Sequence, residues 1–207
     1  MAQGHSTTQT LPPHPERATL EGRNKFLGFW FFLGGETVLF ACLFGTYLGL
    51  TRDLSNVEVG PKDLFELPTI FAATMALLIS SLTSVLAIMQ MKNNNMRGMQ
   101  LWFWVTILLG WVFVALEVTE FYTYVTHHHF TYDSNAFASA FYTLLGFHGG
   151  HVFFGTLWIL TLILQTLKKG INTVTAPKLY VASLYWHFVD VVWVFIFTVV
   201  YLMGKVG

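Results

Sequence analysis

Residues 99–125 read MQLWFWVTILLGWVFVALEVTEFYTYV, a run without Lys or Arg whose only charged side chains are Glu117 and Glu120. A bilayer core is roughly 30 Å thick and takes about 20 mainly apolar residues to cross as helix, because lipid offers no partner to an unpaired backbone group. This run is long enough to be such a span. Working outward, the same window finds apolar runs at about residues 26–50, 67–91, 136–167 and 179–203, with polar stretches at 52–66, 92–97, 127–135 and 168–178 between them. The run at 136–167 exceeds the length of a span, which predicts tilt or projection beyond the membrane. The fold class is all-α integral membrane, a bundle of five transmembrane helices. It forms a single domain over residues 25–205, after a disordered cytoplasmic tail at 1–24 that carries Pro12, Pro13 and Pro15 and lacks the basic start and short apolar core of a cleavable signal.

Composition agrees. Of 207 residues 54% are hydrophobic and only 11% charged, against roughly 25% charged in ordinary soluble domains. A soluble bundle needs polar helix faces, and these runs have none. Eleven basic and eleven acidic residues cancel, leaving no attraction for a polyanion, so nucleic-acid binding is disfavoured. The single Cys42 supplies neither a disulfide nor a thiolate metal site. With loops on alternate sides, one side receives Arg17, Arg23, Lys25, Lys92, Arg97, Lys168, Lys169 and Lys178, and the other only Arg52, Lys62 and Lys205. The positive-inside rule then places the N-terminus in the cytoplasm and the C-terminus outside. No repeat relates the two halves, which weighs against an inverted-repeat transporter.

Ionisable residues inside a span cost about 2.5–3.5 kcal/mol at its centre on insertion scales, so each needs a reason. They are Glu36 in the first run, Glu117 and Glu120 in the third, His148 and His151 in the fourth, and His187 and Asp190 in the fifth. Each pair is spaced i, i+3 and shares one helix face, which draws four helices toward a polar seam to which the second run gives no ionisable group. Glu120 is expected to meet the His148 helix, and His187 to pair locally with Asp190. Three chemistries compete for the set. Interhelical hydrogen bonding is the plainest, at about 0.6–2 kcal/mol per pair. A di-iron centre is a second, but it uses Glu-x-x-His on two helices, and no such spacing occurs here. Proton exchange by a desolvated carboxyl is the third, and Glu36, alone among apolar neighbours that favour its neutral form, is its best candidate. His127-His-His129 reads as a solvated loop. Gly45 with Gly49, and Gly146 with Gly150, form small-xxx-small patterns suited to close helix contact. Trp102, Trp104, Trp111, Trp158, Trp186 and Trp193 read as packing or interfacial residues.

Two segments carry a resemblance. Gly146-Phe-His-Gly-Gly-His-Val152 and Tyr185-Trp-His-Phe-Val-Asp-Val-Val-Trp193 are similar to the GFHGxHV and YWHFVDVVW segments of haem–copper oxidase subunit III. Glu120 resembles a third landmark of that family, and Glu36 the buried glutamate known there for reacting with carbodiimides. The likeness extends over about residues 22–205, and the five-span form resembles the Bacillus-type cytochrome c oxidases, beginning at what would be the third span of seven-span members. It implies an accessory subunit with no haem, copper or other metal of its own. Oxygen reduction then belongs to subunit I, which receives electrons by way of subunit II, with a small subunit IV as a further partner. It also implies lateral binding to subunit I, phospholipid held in a cleft, and support of proton uptake, all in the bacterial cytoplasmic membrane. Glu36, Glu120, His148, His151, His187 and Asp190 would line or brace the cleft, with Arg23, Lys25 and Arg97 toward lipid phosphates. The corresponding subunit of a quinol oxidase is the nearest alternative, and a free-standing transporter or proton channel the more remote one.

Overall fold

The computed structural model describes residues 19–51 and 67–206, without the side chains at 67, 128, 205 and 206. The tail at 1–18 and the loop at 52–66, with Arg17, Arg52 and Lys62, lie outside the described residues. Five helices are long and apolar enough to cross a membrane: α1 (Leu20–Leu50), α2 (Leu67–Lys92), α3 (Met96–His128), α4 (Ala136–Lys169) and α5 (Thr175–Ile196). A π-helical turn at Phe197–Leu202 and a last turn at Met203–Val206 continue α5.

The helices begin or end where capping groups stand, which the apolar runs alone do not mark. Thr19 Oγ1 accepts from Gly22 N at 3.0 Å, so α1 opens at Leu20, inside the stretch expected to be tail. Asn95 and Asn135 do the same for α3 and α4, each accepting from the backbone N–H three residues on. His129 adopts the left-handed conformation at φ 50 and closes α3, with Phe130 N donating to Tyr124 O. Gly170, at φ 70, ends α4 in a conformation that L side chains rarely adopt.

Neighbours alternate in direction. Thr83 bonds Thr106 across α2 and α3, Trp111 packs on Phe153 across α3 and α4, and Phe29 on Trp158 across α1 and α4. Helices α2, α3, α4 and α5 close a ring, and α1 lies outside it against α4 and α5. This up-and-down order gathers Arg23, Lys25, Lys92, Arg97, Lys168, Lys169 and Lys178 at one end of the bundle. Helix α1 is fixed by a narrow seam: Leu33, Phe40 and Tyr47, seven residues apart, are buried, whereas Leu27, Phe31 and Val38 face outward.

The ring is locked by a polar ladder between α2 and α5. Trp193 Nε1 donates to Thr74 Oγ1 at 3.0 Å, Trp186 Nε1 to Ser80 Oγ at 2.9 Å, and Ser84 and Ser183 share a bond of 2.9 Å. Both indoles are fully buried. A buried N–H left unbonded would cost about 1–3 kcal/mol, so hydroxyls at these positions let large aromatic rings fill the core without that penalty. The Trp186 ring also depends on two glycines, since a Cβ on Gly110 would stand 2.8 Å from it and one on Gly155 3.0 Å.

Candidate functional site

Every ionisable residue singled out in the spans is described, and they divide into an outer pair and an inner set. The outer pair is Glu36 and His151. Glu36 lies midway along α1 and is not isolated: its Oε2 is 3.1 Å from His151 Nε2 on α4, with the two side chains only 17% and 18% exposed. His151 Nδ1 lies 2.6 Å from Phe147 O, a carbonyl that can only accept, so Nδ1 carries a hydrogen. In a neutral imidazole Nε2 is then the acceptor, so the contact with Glu36 holds one proton, on the carboxyl or on the ring. Phe40 stands against the His151 ring at 5.2 Å, and Tyr185 donates from its hydroxyl to His151 O at 3.1 Å. The i, i+3 spacing does not reveal this pair, because it reports groups on one helix and says nothing of which helix lies opposite.

The inner set departs from the expected pairing in one place. His187 does not pair with Asp190; its Nδ1 meets Ser81 Oγ at 2.6 Å. Asp190, 6% exposed, has neither carboxyl oxygen in a hydrogen bond of good geometry, although Ser81 lies beside it. Helix α2, which lacks ionisable groups, thus serves the site through its hydroxyls. Glu120 accepts from the hydroxyl of Tyr124 on its own helix and faces Tyr201 in the π-helical turn and Tyr142 on α4. Glu117 also reaches α4: its carboxyl occupies the space that a Cβ on Gly149, the residue after His148, would take. His148 is fully buried, stacked on Trp193 at 5.1 Å and edge-on to Phe113 at 5.6 Å.

A groove runs along the outside of this arrangement between α1, α4 and α5. Its widest part, about 630 Å³, opens at the cationic end beside Lys25, Lys178 and Gln165 and is floored by Phe29, Phe32 and Trp158. Two further hollows of about 470 and 450 Å³ share Phe32 with it and carry the groove past Phe154 to His151. A charged mouth and an apolar, aromatic trough suit an amphiphile with an anionic head. Of the cations expected to meet a lipid phosphate, Lys25 stands at the mouth. Arg23 is on the exposed first turn of α1, and Arg97 is exposed at the start of α3, away from the groove's lining. Lys178 was legible only as a charge on the cationic side.

Among the described residues no three His, Cys, Asp or Glu side chains converge on one point, so the di-iron alternative finds no ligand set there. His127 is an exposed residue in the last turn of α3, and His129 serves as its cap. In the loop beyond it, Thr131 Oγ1 donates to Asp133 at 2.7 Å and holds that exposed carboxyl below the usual carboxylate range.

Comparison with known proteins bears on the whole of this architecture. A family model described as cytochrome c oxidase subunit III matches residues 17–205. The cytochrome c oxidase subunit 3 of Bacillus sp. (strain PS3) is 62% identical over 100% of this chain and 99% of its own length. That of Alkalihalophilus pseudofirmus is 57% identical over 100% of both. The quinol oxidase subunit 3 of Bacillus subtilis (strain 168) is 45% identical over 90% of both. With five membrane-crossing helices and full-length identity of this order, the chain belongs to the cytochrome c oxidase subunit III family.

Proposed function

We propose that this chain is the accessory, non-catalytic subunit III of a proton-pumping haem–copper oxidase that takes electrons from cytochrome c in a bacterial cytoplasmic membrane. Membership of the family carries association with other oxidase subunits in an oxidoreductase complex. The finer assignment is that subunit I is the direct lateral partner, with subunit II and a small subunit IV in the same assembly, and that haem and copper reside in those chains. The observation that carries the choice of donor is the step in identity. Relatives named cytochrome c oxidase subunit 3 match the full chain at 57–62%, and those named quinol oxidase subunit 3 match about nine-tenths of it at 45–46%.

The orientation that fits this reading has the N-terminus in the cytoplasm, because the end of the bundle that gathers seven Lys and Arg residues is the one that belongs inside. A phospholipid in the groove, its phosphate between Lys25 and Lys178 and one acyl chain over Phe32 and Trp158, is the role supported for that surface. The role proposed for Glu36 and His151 is to hold a proton and support proton uptake by the catalytic subunit, a reading supported by their 3.1 Å contact and by His151 lining the groove.

Mild-detergent purification through a tag on this chain tests the proposal. Haem a and copper A spectra with two larger partner chains are the expected result. Haem without a copper A signal or covalent haem c would transfer the chain to the quinol oxidases. A colourless chain without partners, active in liposomes by itself, would make it a transporter.

A further inference from the structure

The inner set contains a group that accessory packing does not explain. Glu117 is 5% exposed within a membrane-crossing helix, and its Oε1 has no hydrogen-bond partner. His148, with no exposed surface, has neither ring nitrogen bonded. The two meet at one helix contact: the Glu117 carboxyl rests on Gly149, the residue after His148, and Phe113, one turn before Glu117, lies against the His148 ring. An imidazole carries at least one donor and cannot satisfy itself, and a carboxyl in an apolar interior needs either a cation or a proton.

No cation is at hand on these helices. The sequence has no Lys or Arg at 67–91, 98–167 or 179–204, so α2, α3, α4 and α5 carry none along their buried lengths. Among the described residues, the titratable groups in electrostatic range of Glu117 and His148 are acidic or neutral: Glu120 on α3 and Tyr201 in the π-helical turn for Glu117, and His151 on α4 for His148. Glu120 in turn has Tyr124 beside it on α3, Tyr142 across from it on α4, and the Tyr201 hydroxyl turned toward it. Asp190 on α5 adds a further buried carboxyl to the bundle. Two carboxyls three residues apart cannot both stay ionised in such surroundings, and proton binding is the remaining way to neutralise one of them.

There is also a route to water. Glu117, Glu120 and Tyr124 share one face of α3 at helical spacing, Tyr124 donates to Glu120, and the helix ends one turn further on beside exposed His127. We propose that Glu117 and His148 form a buried proton-binding site, bridged by water, that exchanges with the surface at the C-terminal end of α3 through Glu120, Tyr124 and Tyr201. The site takes up one proton at a carboxylate oxygen and returns it along the same hydroxyl and carboxyl chain, with no other bond made or broken. It differs from Glu36 and His151 in position and access: His151 of that pair lines the lipid-facing groove, whereas this site opens to the end of the bundle opposite Lys25, Lys92, Lys168 and Lys178.

Infrared spectroscopy of the intact purified oxidase, in water and after transfer to deuterium oxide, tests it. The haem spectrum of the same sample checks independently that the chain sits in an oxidase. A neutral carboxylic C=O band that is lost in Glu117→Gln and retained in Glu36→Gln is expected. That band should shift within minutes of deuteration in the wild type and on the order of tenfold more slowly in Tyr124→Phe, because a buried group cut off from its route exchanges only by local opening. A carboxylic band that survives Glu117→Gln unchanged overturns the site, and a deuteration rate indifferent to Tyr124→Phe overturns the route. If Glu117→Gln prevents assembly, Glu117→Asp keeps the carboxyl and must move the band; no movement overturns the proposal equally.

Discussion

Replacing Gly110 by Ala probes the packing of the core most directly. The added methyl would stand 2.8 Å from Trp186 Cη2 and 2.8 Å from Thr156 Cγ2, both closer than real methyl contacts allow. The indole cannot retreat: Ser80 holds its Nε1 at 2.9 Å, and Gly155 closes on it from α4 with its own Cβ position at 3.0 Å. Overpacking of a core costs about 1–3 kcal/mol. Ala also favours a helix over Gly by about 1 kcal/mol, which would mask part of this. Gly150→Ala supplies the correction, since nothing lies within 4 Å of its Cβ position and it keeps only the propensity gain. The difference between the two variants therefore isolates the steric cost at about 1–3 kcal/mol, roughly five- to 150-fold in the unfolding equilibrium. Heat-induced loss of this subunit from the detergent-solubilised complex, read on gels against temperature, should come several degrees earlier for Gly110→Ala than for Gly150→Ala. Coincident midpoints would refute the close packing of Trp186 between α3 and α4.

Three further outcomes are expected. Glu36→Gln and His151→Gln should each lower proton uptake or the turnover lifetime of the oxidase, and the double variant should be no worse than either, because one proton is shared by the two; kinetics equal to wild type would leave the pair a structural bond worth about 0.6 kcal/mol. Lys25→Gln with Lys178→Gln should reduce the phospholipid that co-purifies with the complex, measured per haem, and an unchanged lipid content would remove the headgroup assignment at the groove mouth. The lowered Asp133 carboxyl contributes to the α3–α4 loop above the ordinary carboxylate range, and that contribution is lost as pH falls through its lowered value. Proteolytic nicking of the loop should then rise only at acidic pH, and Asp133→Asn should abolish that pH dependence.

The spans were legible because lipid demands long apolar helices and expels Lys and Arg to the loops, so the physics that sets their number also writes it into the sequence. What stayed hidden is relational. Helix α2 looked chemically silent because it lacks ionisable residues, yet Thr74, Ser80, Ser81 and Ser84 bond Trp193, Trp186, His187 and Ser183 in turn. Hydroxyls are too common in helices to signal a partner until the opposing helix is known. The glycine patterns are relational in the same way: among the described residues nothing lies within 4 Å of the Cβ positions of Gly45, Gly49, Gly146 and Gly150, and the close contacts inside the bundle fall on Gly110, Gly149 and Gly155, which form no i, i+4 pair.

The same distinction separates the two sets of ionisable residues. Glu36 was conspicuous because it is the only acidic group in the apolar run of α1, but its partner belongs to a helix more than a hundred positions later. That bond is a polar link of a helix that is also held by Leu33, Phe40 and Tyr47 along one narrow seam. A peripheral helix fixed in this way can lean on lipid or on another subunit along most of its surface without disturbing the ring of α2 to α5. Within the ring, Glu117 and His148 lie against a glycine and two aromatic rings, where a substitution acts on packing and protonation at once. Effects of Glu36 variants should therefore depend on what occupies the groove. Effects of Glu117 variants should not, because no part of the groove's lining reaches α3.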